Sequence, residues 1–438
     1  MLLLDIFKSH WPSGRRAQVE SVLRYGGLAC LFLYALSRLA LPGLGKGLEI
    51  GYVLAGAILL FGWRRELLGS IYIKLLLLAL LVQCIPWVIG HFTSLPTAEG
   101  NPGLDRLLKL YLFLLGSTLL EGRERRVFWL WGCAALGLLA VVLVQLPEWQ
   151  RGLKGMRVDF GIRNAQHTAM FFGILLLGCV CFAGRWLSAR RRQWLWRLPL
   201  LLAVLAVAVL GIVVTQTRAV FLAVGAAAIL GVVLWGLMQR PHWKNLLLVL
   251  ALGGVLIGTT LHYFKSQTIG RSGAEANVIE MVWEGKLDRI PYTSVGTRVN
   301  TWLVAWEKIK ERPLFGWGRE ARSWVIEQSP TLPAWVKQEF GHLHNYFIEI
   351  QLSYGLAGSL WLLGMVVATL WGCWAAWRRG DMPLDVCLFG FCFVFYFLIV
   401  NNFESYFSFW TGGLAFNLIM AGLVSLAWRR SFPVNAHQ

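Results

Sequence analysis

The chain has 438 residues, of which 57% are hydrophobic and 15% charged, with 23 tryptophans and a formal net charge of +18. Soluble domains carry about 25% charged residues, so this composition excludes an ordinary soluble domain and indicates an all-α polytopic membrane protein. A nucleic-acid binder would gather its basic residues into one domain or stripe. Here they stand in small groups between apolar spans, so no nucleic-acid partner is expected.

The first 25 residues contain Lys8, His10, Arg15 and Arg16 and no apolar core ending in a small-residue site, so no cleavable signal segment is expected. About twelve transmembrane helices then follow from runs of roughly 20 apolar residues. They are read at 24–42, 48–63, 69–91, 105–120, 127–146, 167–187, 197–215, 218–238, 245–264, 345–376, 384–402 and 408–428. In domain terms this gives helices one to nine over 1–264, a loop over 265–344, and helices ten to twelve with a short tail over 345–438. All eight cysteines lie in or beside apolar spans and none in the loop, so neither a disulfide framework nor a thiol–metal spacing is present.

The turns "WRRE", "GRERR", "GRWLSARRRQWLWR", "MQRPHWKN" and "WRRGD" and the terminal stretches "SGRRAQ" and "WRRSF" all fall on one side of a twelve-helix chain. The positive-inside rule makes that side cytoplasmic, with both termini inside. The opposite, external side receives the segment 265–344, whose eleven Lys and Arg nearly balance nine Asp and Glu. Within it, "GTRVNTWLVAWEKIKERP" sets Val299, Trp302, Leu303 and Trp306 at helical spacing before Pro313 ends the run. "TLPAWVKQEF" predicts a second short helix.

Every even-numbered helix then presents its amino terminus to the external side, where unpaired N–H groups favour anions. Three of these starts carry further polar groups. Helix six is preceded by Arg163, Asn164 and His167, helix eight by the Thr215–Arg218 turn, and helix ten by His342, His344 and Asn345. Lys109 lies near the start of helix four. Arg218 sits in a turn so short that its guanidinium must lie at the interface, which is costly without a partner or a wet cavity; its plainer role is to snorkel and anchor the turn. Arg163 shares its loop with Arg151, Lys154 and Arg157, for which solvation suffices. Arg298 opens the loop helix and has a loop salt bridge as its plainer role, Lys109 can snorkel, and Asn345 can cap helix ten. The His342–His344 pair offers two metal ligands, with Glu339 or Glu349 available as a third, yet no metalloenzyme spacing accompanies it. The alternative is a neutral imidazole acting as general base, and no metal is the expectation.

At these residues the sequence resembles a known family. "HN" at 344–345 followed by Gly355 is similar to the signature of the bacterial O-antigen ligases, as are the "TQTRA" turn and the "GTRVNTWLVAWEKIKERPLFGWG" segment. The family often has threonine after the glycine, where this chain reads "GLAGS". The resemblance implies a GT-C-like glycosyltransferase without cofactor, moving a glycan from undecaprenyl pyrophosphate to a sugar hydroxyl of lipid A–core at the periplasmic face of the bacterial inner membrane, which makes the external loop 265–344 periplasmic. It implies His344 as general base, Arg218 and Arg298 on the diphosphate, and Arg163, Asn345, His342, Lys109 and His167 in substrate binding. The same superfamily contains O-antigen polymerases and protein O-oligosaccharyltransferases, which remain alternatives. A flippase for the same lipid is the rival from another class, but it would place polar groups near the midplane and show repeats.

Overall fold

The structure is a computed structural model that describes residues 13–97, 100–187, 191–239, 277–278 and 280–432. The expected ninth helix at 245–264 and the start of the long loop lie outside these residues. Nine of the described helices are long and apolar enough to cross a membrane, which makes this a multi-pass membrane protein.

The long helices are α1 (Ser13–Ser37), α2 (Pro42–Trp63), α3 (Ile71–Phe92), α4 (Phe113–Leu120), α5 (Glu124–Leu143), α6 (Ala165–Leu187), α7 (Arg191–Thr215) and α8 (Arg218–Gln239). They continue with the loop helix α9 (Ser294–Glu311) and then α10 (Tyr346–Arg378), α11 (Leu384–Val400) and α12 (Trp410–Ala427). No strand occurs among the described residues. The apolar stretch of α12 is 83% buried, far more than any other span, so α12 is the centre around which α4, α5 and α10 pack. The basic turns are joined at one face by ion pairs, among them Arg64 to Glu121 at 3.1 Å, Arg185 to both Glu124 and Asp385, and Arg430 to Asp381 at 2.8 Å.

Two elements differ from the sequence reading. The span at 105–120 is interrupted: a turn of helix at Asp105–Leu108 and a 3-10 turn at Lys109–Tyr111 precede α4. A break in a buried helix leaves backbone groups that need partners. Asn417 of α12 supplies them, its Oδ1 accepting from Phe113 N at 2.8 Å and its Nδ2 donating to Lys109 O at 2.8 Å. The loop helix forms where expected, capped by Thr293 and ending before Pro313. Its buried face, however, is Thr297, Thr301, Ala305 and Ile309, while Trp306 is exposed. Trp302 is half-buried at the edge of this face.

Helix α10 opens at Gly355, which has φ +63° and ψ −155°. That region is essentially confined to glycine, and an added Cβ would lie 2.3 Å from the carbonyl carbon of Leu314. The turn 313–318 takes over the freed backbone groups. Trp317 N and Gly318 N donate to the carbonyls of Leu352 and Ser353 at 2.9 and 2.8 Å, and Leu356 N and Ala357 N donate to those of Pro313 and Leu314 at 2.8 and 3.1 Å. The loop helix is thereby fastened to the helix that follows the two histidines.

Candidate functional site

The segment 341–345 carries His342 and His344 without regular structure, and its geometry is fixed from three directions. Asn345 caps α10, its Oδ1 accepting from Phe347 N at 3.0 Å and Ile348 N at 3.2 Å. Trp302 of α9 donates to Leu343 O at 2.7 Å. The buried Glu349 accepts from Leu343 N at 3.0 Å and from the hydroxyls of Ser405 and Ser408 at 2.6 and 3.0 Å, with Arg322 beside it at 3.4 Å. His344 itself takes a left-handed φ of +52°, a strained backbone state that these contacts hold in place.

The two imidazoles lie against each other, their centroids 3.9 Å apart and their planes tilted by 30°. Glu404, from the turn between α11 and α12, completes the group: its Oε1 is 2.9 Å from His342 Nε2 and its Oε2 4.0 Å from His344 Nε2. With its amide turned to satisfy both neighbours, Gln166 donates to Glu404 and accepts from Arg298 Nη2 at 3.0 Å. These residues line a polar cavity of about 520 Å³ whose opposite wall is the loop before α6, contributing Arg151, Arg157 and Arg163. Arg163 stacks on Phe409, its Cζ 3.6 Å from the ring centroid.

The electrostatics divide the two kinds of group. Burial pushes the His344 pKa down from 6.5 to about 3, with His342 and Arg298 acting in the same direction and Glu404 against it. His344 is therefore neutral at pH 7. Burial alone would raise the Glu404 pKa, but the hydrogen bond with His342 and the field of the histidines outweigh it and bring it down to about 2. The cavity thus sets four arginines against the carboxylates of Glu148, Asp159 and Glu404, with the neutral His344 imidazole beside Glu404.

The sequence-selected residues distribute as follows. His342, His344, Arg163 and Arg298 meet in the cavity. His167 is fully buried one layer behind, with Nδ1 against the Thr411 hydroxyl and its ring edge-on to Phe409. Asn345 is buried as the helix cap, and Lys109 is an exposed partner of Asp105. Arg218 opens α8, is exposed, and is not among the residues lining this cavity. Its turn nevertheless touches the cavity wall, where Arg157 Nε donates to Thr215 O at 3.2 Å. The sequence reading missed Glu404, Gln166, Arg157 and Phe409. Glu404 alone gave a signal, as an acidic residue at the end of an apolar span. It also supplies the third oxygen or nitrogen ligand for which Glu339 and Glu349 were considered: His342, His344 and Glu404 lie close enough to hold a metal ion. The guanidiniums beside them and the hydrogen bonds that already occupy Glu404 suit an anion better than a divalent cation.

Residues 201–363 match the family described as O-Antigen ligase. This match supports membership of the O-antigen ligase family. The matched stretch contains Arg218, Arg298, His342 and His344, whereas Arg163 and Glu404 lie outside it. The chemistry of O-antigen ligases and polymerases is glycan transfer. No curated protein matches the chain.

Proposed function

We propose that the protein transfers a glycan from undecaprenyl pyrophosphate to a sugar hydroxyl of lipid A–core at the periplasmic face of the inner membrane, without a metal. The observation that carries this reading is the meeting of Arg163 and Arg298 with His344 in one polar cavity. Guanidinium forks suit a diphosphate, and the neutral imidazole suits proton removal. In the step, His344 takes the proton of the acceptor hydroxyl as its oxygen bonds to the anomeric carbon. The bond from that carbon to the diphosphate breaks, and the electron pair leaves with the polyprenyl pyrophosphate. Attack from the face opposite the leaving group inverts the anomeric configuration. The arginines stabilise the departing charge, so no general acid is needed.

A base with a pKa of about 3 is weak while the cavity is empty. The donor corrects this. Its diphosphate brings negative charge beside His344 and offsets Arg298, which raises the imidazole's pKa. The base gains strength when the donor is bound, and the acceptor hydroxyl is deprotonated only then.

Arg218 is assigned to the donor's approach, at the turn next to the arginine wall. Lys109, His167 and Asn345 support the substrates or the site from outside the cavity. A second reading gives the base to His342, because His342 and not His344 is held by the carboxylate at 2.9 Å. The test is transfer by purified protein in nanodiscs from a defined undecaprenyl-pyrophosphate glycan to lipid A–core, with the product identified by mass. His344→Ala is expected to abolish transfer and keep donor binding. Near-normal transfer by His344→Ala with loss in His342→Ala would move the base to His342. A product elongated on the donor itself, with none on lipid A–core, would make the protein a polymerase.

A further inference from the structure

A second cavity, of about 740 Å³, lies against the first and meets it at Phe409, which lines both. Its walls come from α1, α2, the interrupted segment before α4, the turn 319–322 and the outer part of α10. Three features distinguish it from a gap between helices. The first is charge: six basic side chains line it, against the acids Glu49, Asp105 and Glu349. Lys109 and Arg322 are matched by Asp105 and Glu349, and Arg106 and Arg319 share the single carboxylate of Glu320. The second is Tyr354, 97% buried, whose hydroxyl has no hydrogen-bond partner among the described residues. The charges acting most strongly on that hydroxyl are Arg106, Arg322 and Arg319. A buried hydroxyl left unbonded is unfavourable, and a bound acceptor oxygen would satisfy it. The third is the outer wall, where Ile50 and Leu54 of the membrane span α2 are 61% and 57% exposed, so the cavity faces the lipid as well as water.

We propose that this second cavity binds the phosphate-bearing headgroup of the acceptor glycolipid, with Arg106, Arg319 and the Tyr354 hydroxyl as its polar partners and the Ile50–Leu54 side of α2 as the path for its acyl chains. The proposal rests on the ligase reading and deepens it, placing the two lipid substrates on opposite sides of Phe409. The donor diphosphate takes the cavity of Arg163 and Arg298, and the acceptor's phosphates take the other. The phosphates come from the lipid A disaccharide or from the core sugars, and both present the same oxygens.

The test uses the full-length protein in nanodiscs. Steady-state transfer is measured with lipid A–core carrying all its phosphates, lacking those of lipid A, lacking those of the core, and lacking both. KM for the fully phosphorylated acceptor is expected to be about tenfold lower than for the bare one, as the loss of one charge-assisted hydrogen bond implies. The two intermediate acceptors show which phosphates are held. Arg106→Gln, Arg319→Gln and Tyr354→Phe should raise KM for the phosphorylated acceptor about tenfold, leave KM for the donor in place, and have no effect with the bare acceptor. Binding of lipid A without core, with and without its phosphates, is followed by tryptophan fluorescence and does not depend on turnover. Equal KM and equal binding for phosphorylated and bare lipids would overturn the proposal. A rise in donor KM alone in the three variants would also overturn it, by giving the cavity to the donor. Absence of transfer to lipid A–core by the unmodified protein would overturn the ligase reading instead, while the binding experiment would still decide the cavity.

Discussion

Replacing Glu404 with glutamine keeps the shape of the side chain and removes its charge. The carboxylate is 3% exposed and is held by the His342 ring at 2.9 Å, by Ser405 N at 2.9 Å and by the Gln166 amide. Its pKa falls from 4.5 to about 2, which corresponds to about 3 kcal/mol in favour of the charged form at ~1.36 kcal/mol per pH unit. Because the folded value lies below the unfolded one, this stability is present above pH 4.5 and is lost as the pH falls toward 2. Glu404→Gln should therefore cost at most about 3 kcal/mol at pH 7, and the difference from the unmodified protein should shrink between pH 4.5 and 2. At neutral pH His344 is uncharged, so the hydrogen bonds are what the variant disturbs. In catalysis, His342 loses its anionic partner and His344 loses the one charge that supports its protonation, so kcat should fall about 10²–10⁴-fold. Donor affinity should hold or improve, since a negative charge leaves the arginine cavity. Thermal unfolding followed by tryptophan fluorescence, single-turnover transfer and donor binding would be measured side by side. Unchanged kcat with weakened donor binding would refute the reasoning, because it would make Glu404 a scaffold for the arginines rather than for the imidazoles.

Gly355→Ala should cost about 3–5 kcal/mol, from the forbidden backbone state and disturbance of the bonds to 313–318, and should lower transfer through the histidine segment; a native melting temperature would count against the opened helix. The acid limb of kcat/KM should reflect the free protein, with activity maintained well below pH 6 until His344 is protonated. The limb of kcat should lie at higher pH because bound diphosphate raises the same pKa; coincident limbs would remove His344 as the group that senses the donor. Transfer should survive EDTA, and activity lost to the chelator but restored by one added metal would turn His342, His344 and Glu404 into ligands. Arg218→Ala should weaken donor binding and turnover, with incomplete rescue by lysine; full retention of both would leave Arg218 as an interfacial anchor.

Much of the fold was legible because the controlling physics is local. Runs of about twenty apolar residues form long helices and Pro313 ends the loop helix, and each is visible within a short window of sequence. The sequence also selected His342, His344, Arg163 and Arg298, all of which the fold brings to one cavity. The sequence could not tell which way a helix start faces, and Arg218 shows the difference: it opens a helix, as the residues before α6 and α10 do, but is not in the cavity's lining. The break before α4 needed Asn417 some 300 residues away, and the opening at Gly355 needed the turn 313–318. The carboxylate of the site came from Glu404, on the far side of α11. Sequence spacing carries no record of such partners, since only the packing of α12 among its neighbours decides which buried polar groups meet.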